Sequence, residues 1–209
     1  MIMVEMNDNE ILQLGKDTIK TEAQGILALV DQLDESFIQA VKLLLNCQGH
    51  VLVSGSGTSS AVARRMAHLM TVCGTPALLL DAGDGPHGGA AAVTEKDMLI
   101  ALSKGGTTKE LVFLASVAKD RRAYIIAITE NPESELGRLS DVVLKVNAPV
   151  EGDPFGMIAT GSSLINCALG DALCVTLLKL RGYTIEQFGA THPGGAVGDK
   201  LKKLRIISS

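Results

Sequence analysis

The stretch "HVLVSGSGTSSA", residues 50–61, decides the fold. An apolar run, 50–54, ends in a loop of glycines and hydroxyls. A helical pattern follows over 59–71, carried by Val62, Met66 and Leu69. The loop has two readings. Gly55, Ser56, Gly57 and Ser60 imitate the G-x-G-x-x-G turn of a dinucleotide site, with serine at the third glycine. Equally, the loop is a hydroxyl-rich cup for one phosphate group.

Four further short apolar runs recur downstream: "PALLLD" (76–81), "MLIALS" (98–103), "AYIIAIT" (123–129) and "DVVLKV" (141–146). They are continuous rather than alternating, the pattern of strands covered on both faces. Helical stretches separate them. In 107–119, Leu111, Leu114, Ala115 and Ala118 recur at i, i+3, i+4 and i+7. Strand and helix in alternation predict an α/β three-layer sandwich, a five-stranded parallel sheet with helices on both faces. Residues 1–47 read as a helical extension packed on a domain spanning 48–209. Leu12, Ile19, Ile26, Leu27 and Val30 carry its first helix, and Asp34 caps a second. The segment 162–180 is apolar nearly all round, so it must be covered on most sides, which suggests a subunit interface. Asp171 within it needs donors, expected from a helix N-terminus.

Totals narrow the classes. Among 209 residues, 46% are hydrophobic and only 3% aromatic, so aliphatic packing builds the core. A net charge of −4 argues against a nucleic-acid partner, whose backbone calls for a basic face. Four scattered cysteines with no C-x-x-C pair read as small buried hydrophobes in a reducing compartment. The start, "MIMVEMNDNE", lacks a basic region followed by an apolar one. With Asp171 and Lys179 in it, 162–180 reads as a core helix rather than a membrane span. A cytoplasmic protein with no membrane partner is the expectation.

In a parallel sheet, ligands sit beyond the carboxyl ends of the strands. Two such ends carry hydroxyls, "SGSGTSS" (54–60) and "SKGGTTKE" (103–110), and each leads into a helix. Helix N-termini attract anions, serine and threonine add donors, and glycine lets a ligand approach the backbone. Each loop alone is equally an ordinary helix cap. The pair, on strands that would flank one crevice, favours a phosphate site. A dinucleotide leaves the second loop without a role, and Asp81 lies farther on than the ~20 residues usual for a ribose-binding acid. "DAGDGPHGG" (81–89) lacks the alternating acids of a calcium loop. His87 beside Asp81 or Asp84 is the remaining metal candidate, and a solvated loop histidine is the commoner case. No metal and no organic or redox cofactor is expected.

These motifs, with "GTPALLLDAGDGPHGG", "GDALCVTLLKLRGYT" and "HPGGAVG", resemble the sugar isomerase (SIS) domain family, above all its arabinose 5-phosphate isomerases. The resemblance runs from residue 14 to 201. It implies a flavodoxin-like fold with a phosphorylated sugar at the strand ends. It makes Ser56, Thr58, Ser59, Ser103, Thr107 and Thr108 phosphate ligands, with Gly55, Gly57, Asp84 and His87 lining the site. Glu151 matches a family carboxylate before the long helix, and His192 the histidine of "SHPGG". Aldose–ketose isomerisation needs a base for the carbon-bound proton and acid–base help in ring opening. Glu151 and His192 are the catalytic pair it implies.

The chain departs from the family pattern at three positions. Thr58 stands where lysine is usual, Thr107 where glutamate is, and Asp84 where glutamate is. A non-catalytic phosphosugar sensor is therefore the alternative to an isomerase. Many relatives carry two regulatory CBS modules after the domain, and none is expected within these 209 residues. The family also implies a homo-oligomer, a tetramer with sites shared between subunits.

Overall fold

The computed structural model describes residues 4–148 and 151–208. Two helices lead. The first, α1 (Asp8–Ala28), opens with a capping box in which the Asn7 side chain and Glu10 bond each other's backbone N–H. Asp34 caps α2 (Glu35–Leu45) by accepting the Ser36 N–H at 2.8 Å. Then β1 (Val51–Gly55), α3 (Thr58–Val72), β2 (Ala77–Leu79), β3 (Met98–Leu102), α4 (Lys109–Asp120), β4 (Tyr124–Thr129), α5 (Glu135–Leu139) and β5 (Val142–Lys145) follow. The chain closes with α6 (Gly161–Leu180), α7 (Ile185–Ala190) and α8 (Gly195–Lys203).

All strand pairs are parallel, in the order β2-β1-β3-β4-β5. The expected five-stranded parallel sheet is thus present in a doubly wound order. That order puts the switch point between β1 and β3, where ligands of such sheets bind. The continuous apolar runs are explained by cover on both faces. Leu99 and Ile100 are neighbours pointing to opposite sides, and both are 0% exposed. Val53, Ile100 and Ile126 pack under α2, α3 and α6 with Leu44, Met66 and Leu169. Leu52, Leu99 and Ile125 pack under α4 and α5 with Leu114 and Leu136. Truncating a residue such as Ile100 to alanine costs about 2–5 kcal/mol through lost burial and a cavity.

Three details differ from the sequence expectation, and a fourth adds to it. Strand β2 is three residues long, because Asp81 turns the chain by accepting the Gly83 N–H at 2.8 Å. Helix α1 lies against α6, yet Leu12, Ile19 and Leu27 on its apolar stripe are exposed. Asp171 meets a guanidinium instead of a helix N-terminus: Arg65 of α3 donates to both carboxylate oxygens, at 2.7 and 3.0 Å. Finally, "HPGG" is the entry to α8, with Gly195 at φ +65.

Helix α6 is long and apolar enough to cross a membrane by composition, but one face packs on α1 and α3 through Ile165, Leu169 and Leu173. The four cysteines are free thiols, and burial pushes that of Cys174 up to about 12.

Candidate functional site

Both hydroxyl loops sit at the carboxyl edge of the sheet, after β1 and β3, on either side of the switch point. The first is shaped by two glycines. A Cβ on Gly55 would stand 2.5 Å from the Ser59 carbonyl oxygen, and Gly57 sits at φ +58. Gly57 is also the N-cap of α3, so no side chain caps that helix. Its first-turn hydroxyls, Thr58 and Ser59, face a cavity instead, while Ser56 is exposed at the rim.

In the second loop Ser103 is buried. Its hydroxyl lies 2.9 Å from that of Thr108 and accepts the Gly106 N–H at 3.1 Å. Thr108 is the N-cap of α4 yet makes no side-chain cap bond. Its hydroxyl is turned to Ser103. The capping reading therefore describes neither loop's side chains. Gly106 adopts φ +67 because the loop doubles back onto Ser134, where a Cβ has no room. Thr107 is exposed beside it.

The cavity itself measures about 60 Å³. Thr58, Ser59, Lys104, Thr129, Glu130, Ser162, Ser163 and Asn166 supply its polar lining. At its edge Glu151 is 7% exposed. One carboxylate oxygen accepts from the Lys104 ammonium at 3.0 Å, the other from the Ser162 N–H at 2.9 Å. Burial pushes this carboxyl's pKa up, but hydrogen bonds from Ser162 and Lys104 outweigh it and hold it below the usual range. The same contact, with Glu130 at 3.7 Å, holds the Lys104 ammonium above its usual value. Glu151 is also the anion at the N-terminus of α6, a helix whose N-cap Thr160 makes no side-chain capping bond.

The loop that presents Glu151 is tied down locally. Gly152 N–H bonds the Thr160 hydroxyl at 2.9 Å, and the Asp153 carboxylate accepts the N–H groups of Phe155, Met157 and Ile158. Glu151 thus stands on a braced loop beside the hydroxyl loop after β3.

The other expected residues lie elsewhere. Asp84 and His87 are exposed in a short turn, Gly85–His87, packed against α4. His192 stacks on Phe188 with ring centroids 3.9 Å apart, and its Nδ1 lies 2.9 Å from the Phe188 carbonyl. It joins neither the cavity lining nor the Glu151 hydrogen bonds among the described residues. Lys104, Glu130, Ser162 and Asn166 are not among the site residues that the sequence motifs mark. The buried Asn166 Oδ1 has no hydrogen-bond partner among the described residues. No group of three or more metal-ligating side chains occurs among them either.

The SIS domain model matches residues 44–176. The chain belongs to the SIS domain family. This SIS protein is 36% identical over 189 residues to arabinose 5-phosphate isomerase KdsD of Yersinia pestis, a match that covers 90% of the chain and 58% of KdsD. It therefore spans about three fifths of the length of the curated relatives it matches. A Listeria monocytogenes structure assigned as a sugar-phosphate isomerase superposes with a TM-score of 0.88 at 34% identity, covering 91% of this chain and all of that one. An Escherichia coli protein in complex with arabinose 5-phosphate superposes with a TM-score of 0.87 at 28% identity, covering 90% of this chain and all of that one. The SIS fold accounts for the doubly wound sheet and for the position of the two hydroxyl loops at its switch point.

Proposed function

We propose that this SIS protein is a phosphosugar isomerase interconverting an aldose phosphate and a ketose phosphate through an enediol, with arabinose 5-phosphate as the first substrate to test. The observation that carries the reading is Glu151, a buried carboxylate kept ionised at the edge of a hydroxyl-lined cavity. The likeness to KdsD and to the arabinose 5-phosphate complex supports the substrate class.

In this reading Ser103, Thr108, Ser56, Thr58, Ser59 and Thr107 hold the phosphate with the open N-termini of α3 and α4. Anchoring the phosphate places C1 and C2 near Glu151. Glu151 takes the proton from C2 of the open-chain aldose, the C2–H electrons form the C1–C2 double bond, and O1 gains the negative charge. The O2 proton passes to O1, the C2 carbonyl forms, and protonated Glu151 returns its proton to C1. No metal or organic cofactor is required.

His192 serves ring opening when a second copy brings it to the cavity. The exposed stripe of α1, with Ile11, Leu12 and Ile19, supports such a homo-oligomer, of which a tetramer is the expected form. The test is a panel of sugar phosphates screened by thermal shift, each stabilising compound then followed by NMR for isomerisation. Conversion lost in Glu151→Gln supports the reading. Stabilisation without conversion by any compound makes the protein a sensor.

A further inference from the structure

Among the described residues lining the Glu151 cavity, Lys104 carries the only positive charge. Thr58 and Thr107, in the flanking loops, are neutral. The two partners of the ion pair are unequal. The Glu151 side chain is 4% exposed and held from behind by the Ser162 N–H, whereas that of Lys104 is 52% exposed. A lysine is a compact charge on a flexible stem. It can leave a partner that cannot follow. Glu130, 3.7 Å from the ammonium, is fixed in turn by the Ala148 N–H and keeps a countercharge beside the stem.

An ammonium bonded to a general base weakens that base. The substrate supplies a competing anion, the oxygen that becomes negative as the enediolate forms. We propose that Lys104 is a catalytic residue, resting on Glu151 in the free protein and turning onto the sugar oxygen O1 in the complex. The turn leaves Glu151 with only the Ser162 N–H, and so a stronger base when the C2–H bond breaks. Lys104 stays protonated throughout and neutralises the charge on O1. The proton and electron movements are those of the isomerisation. The groups facing Glu151 are Lys104 from the β3–α4 loop, with Glu130 behind it, and Ser162 of α6. Glu22 of α1 approaches across Gly152. None of the others offers a second cation. This inference rests on the isomerase reading.

The test titrates the Glu151 carboxyl by carbon-13 NMR in the full chain, free and saturated with arabinose 5-phosphate, for wild type, Lys104→Met and Lys104→Arg. The expected midpoint rises on ligand addition in wild type. In Lys104→Met it is already raised in the free protein and moves little. That variant loses about 100-fold in kcat, the size of effect seen when one oxyanion donor is removed, with a smaller change in KM. Lys104→Arg keeps part of the rate. Turnover by wild type with an unmoved midpoint overturns the role of Lys104 alone, as does wild-type kcat in Lys104→Met. No turnover and no C2 exchange by wild type overturns the isomerase reading and this role with it.

Discussion

Glu151 is bonded differently at its two oxygens: the Lys104 ammonium lies 3.0 Å from one, the Ser162 N–H 2.9 Å from the other. One contact fixes the carboxylate to the scaffold, and the other sets its charge state. Glu151→Gln keeps an acceptor for Ser162 and removes the charge. Lys104 is half exposed, so water solvates it when its partner is lost, and the fold survives. Turnover falls by about 100- to 10,000-fold, the range for a lost general base. Circular dichroism checks the fold and steady-state kinetics the rate.

The Ser103–Thr108 hydroxyl pair separates binding from stability. The Ser103 hydroxyl also accepts the buried Gly106 N–H, which the Ser103 carbonyl shares at 3.1 Å, so Ser103→Ala removes one of that donor's two acceptors and destabilises the fold by about 0.5–1.5 kcal/mol. Thr108→Val keeps shape and leaves the Ser103 hydroxyl its bond from the Gly106 N–H. It weakens sugar-phosphate binding by about 1 kcal/mol, roughly fivefold, at unchanged melting temperature. Calorimetric titration of both variants tells the two effects apart.

Asn166 is the reverse case. Its buried Oδ1 has no hydrogen-bond partner among the described residues, and the side chain lines the cavity. Replacing an unpaired acceptor by an apolar group of similar volume is neutral or stabilising for the free protein. Asn166→Leu is expected to melt at or above the wild-type temperature and to bind sugar phosphate several-fold more weakly, because a sugar hydroxyl loses its acceptor. A lowered melting temperature with unchanged affinity contradicts this.

Acid sensitivity should divide between the site and the far edge of the sheet. Asp97, just before β3, is buried, which pushes its pKa up. Bonds from the His50 N–H and from the Thr94 hydroxyl and N–H outweigh that and lower it. A carboxyl lowered in the folded state stabilises above its unfolded pKa and loses that contribution as pH falls through the folded one. Asp97→Ala therefore costs about 1–3 kcal/mol near neutral pH, less in acid, with kcat of the folded fraction unchanged. Melting curves at neutral pH and below the normal aspartate range check the sign. Glu151 follows the same rule, and its variant also loses activity.

Much of this was legible in the sequence. Continuous apolar runs gave away strands covered on both faces, and the two hydroxyl loops marked the crevice because a parallel sheet puts such loops at one edge. The length of β2 was not legible, since the same apolar letters serve a strand and the approach to an Asp81 turn. Short helices such as α5 carry too few turns for a periodic signal. Asp171 visibly needs a donor, but Arg65 lies 106 residues away and only the packing of α3 on α6 brings it near. Lys104 was hidden similarly, because its meaning lies in a partner 47 residues on. The α1 stripe has the spacing of a core face but is uncovered within one chain.

The most direct test of the central claim is exchange of the C2 proton of arabinose 5-phosphate with solvent in D₂O, followed by NMR for wild type and Glu151→Gln. Wild type should lose the C2 proton, with deuterium appearing at C1 of the accumulating ketose and at C2 of aldose re-formed by the reverse reaction, and Glu151→Gln should bind the sugar and incorporate none. Binding by wild type with neither exchange nor ketose formation, or equal exchange by both proteins, would contradict Glu151 as the base.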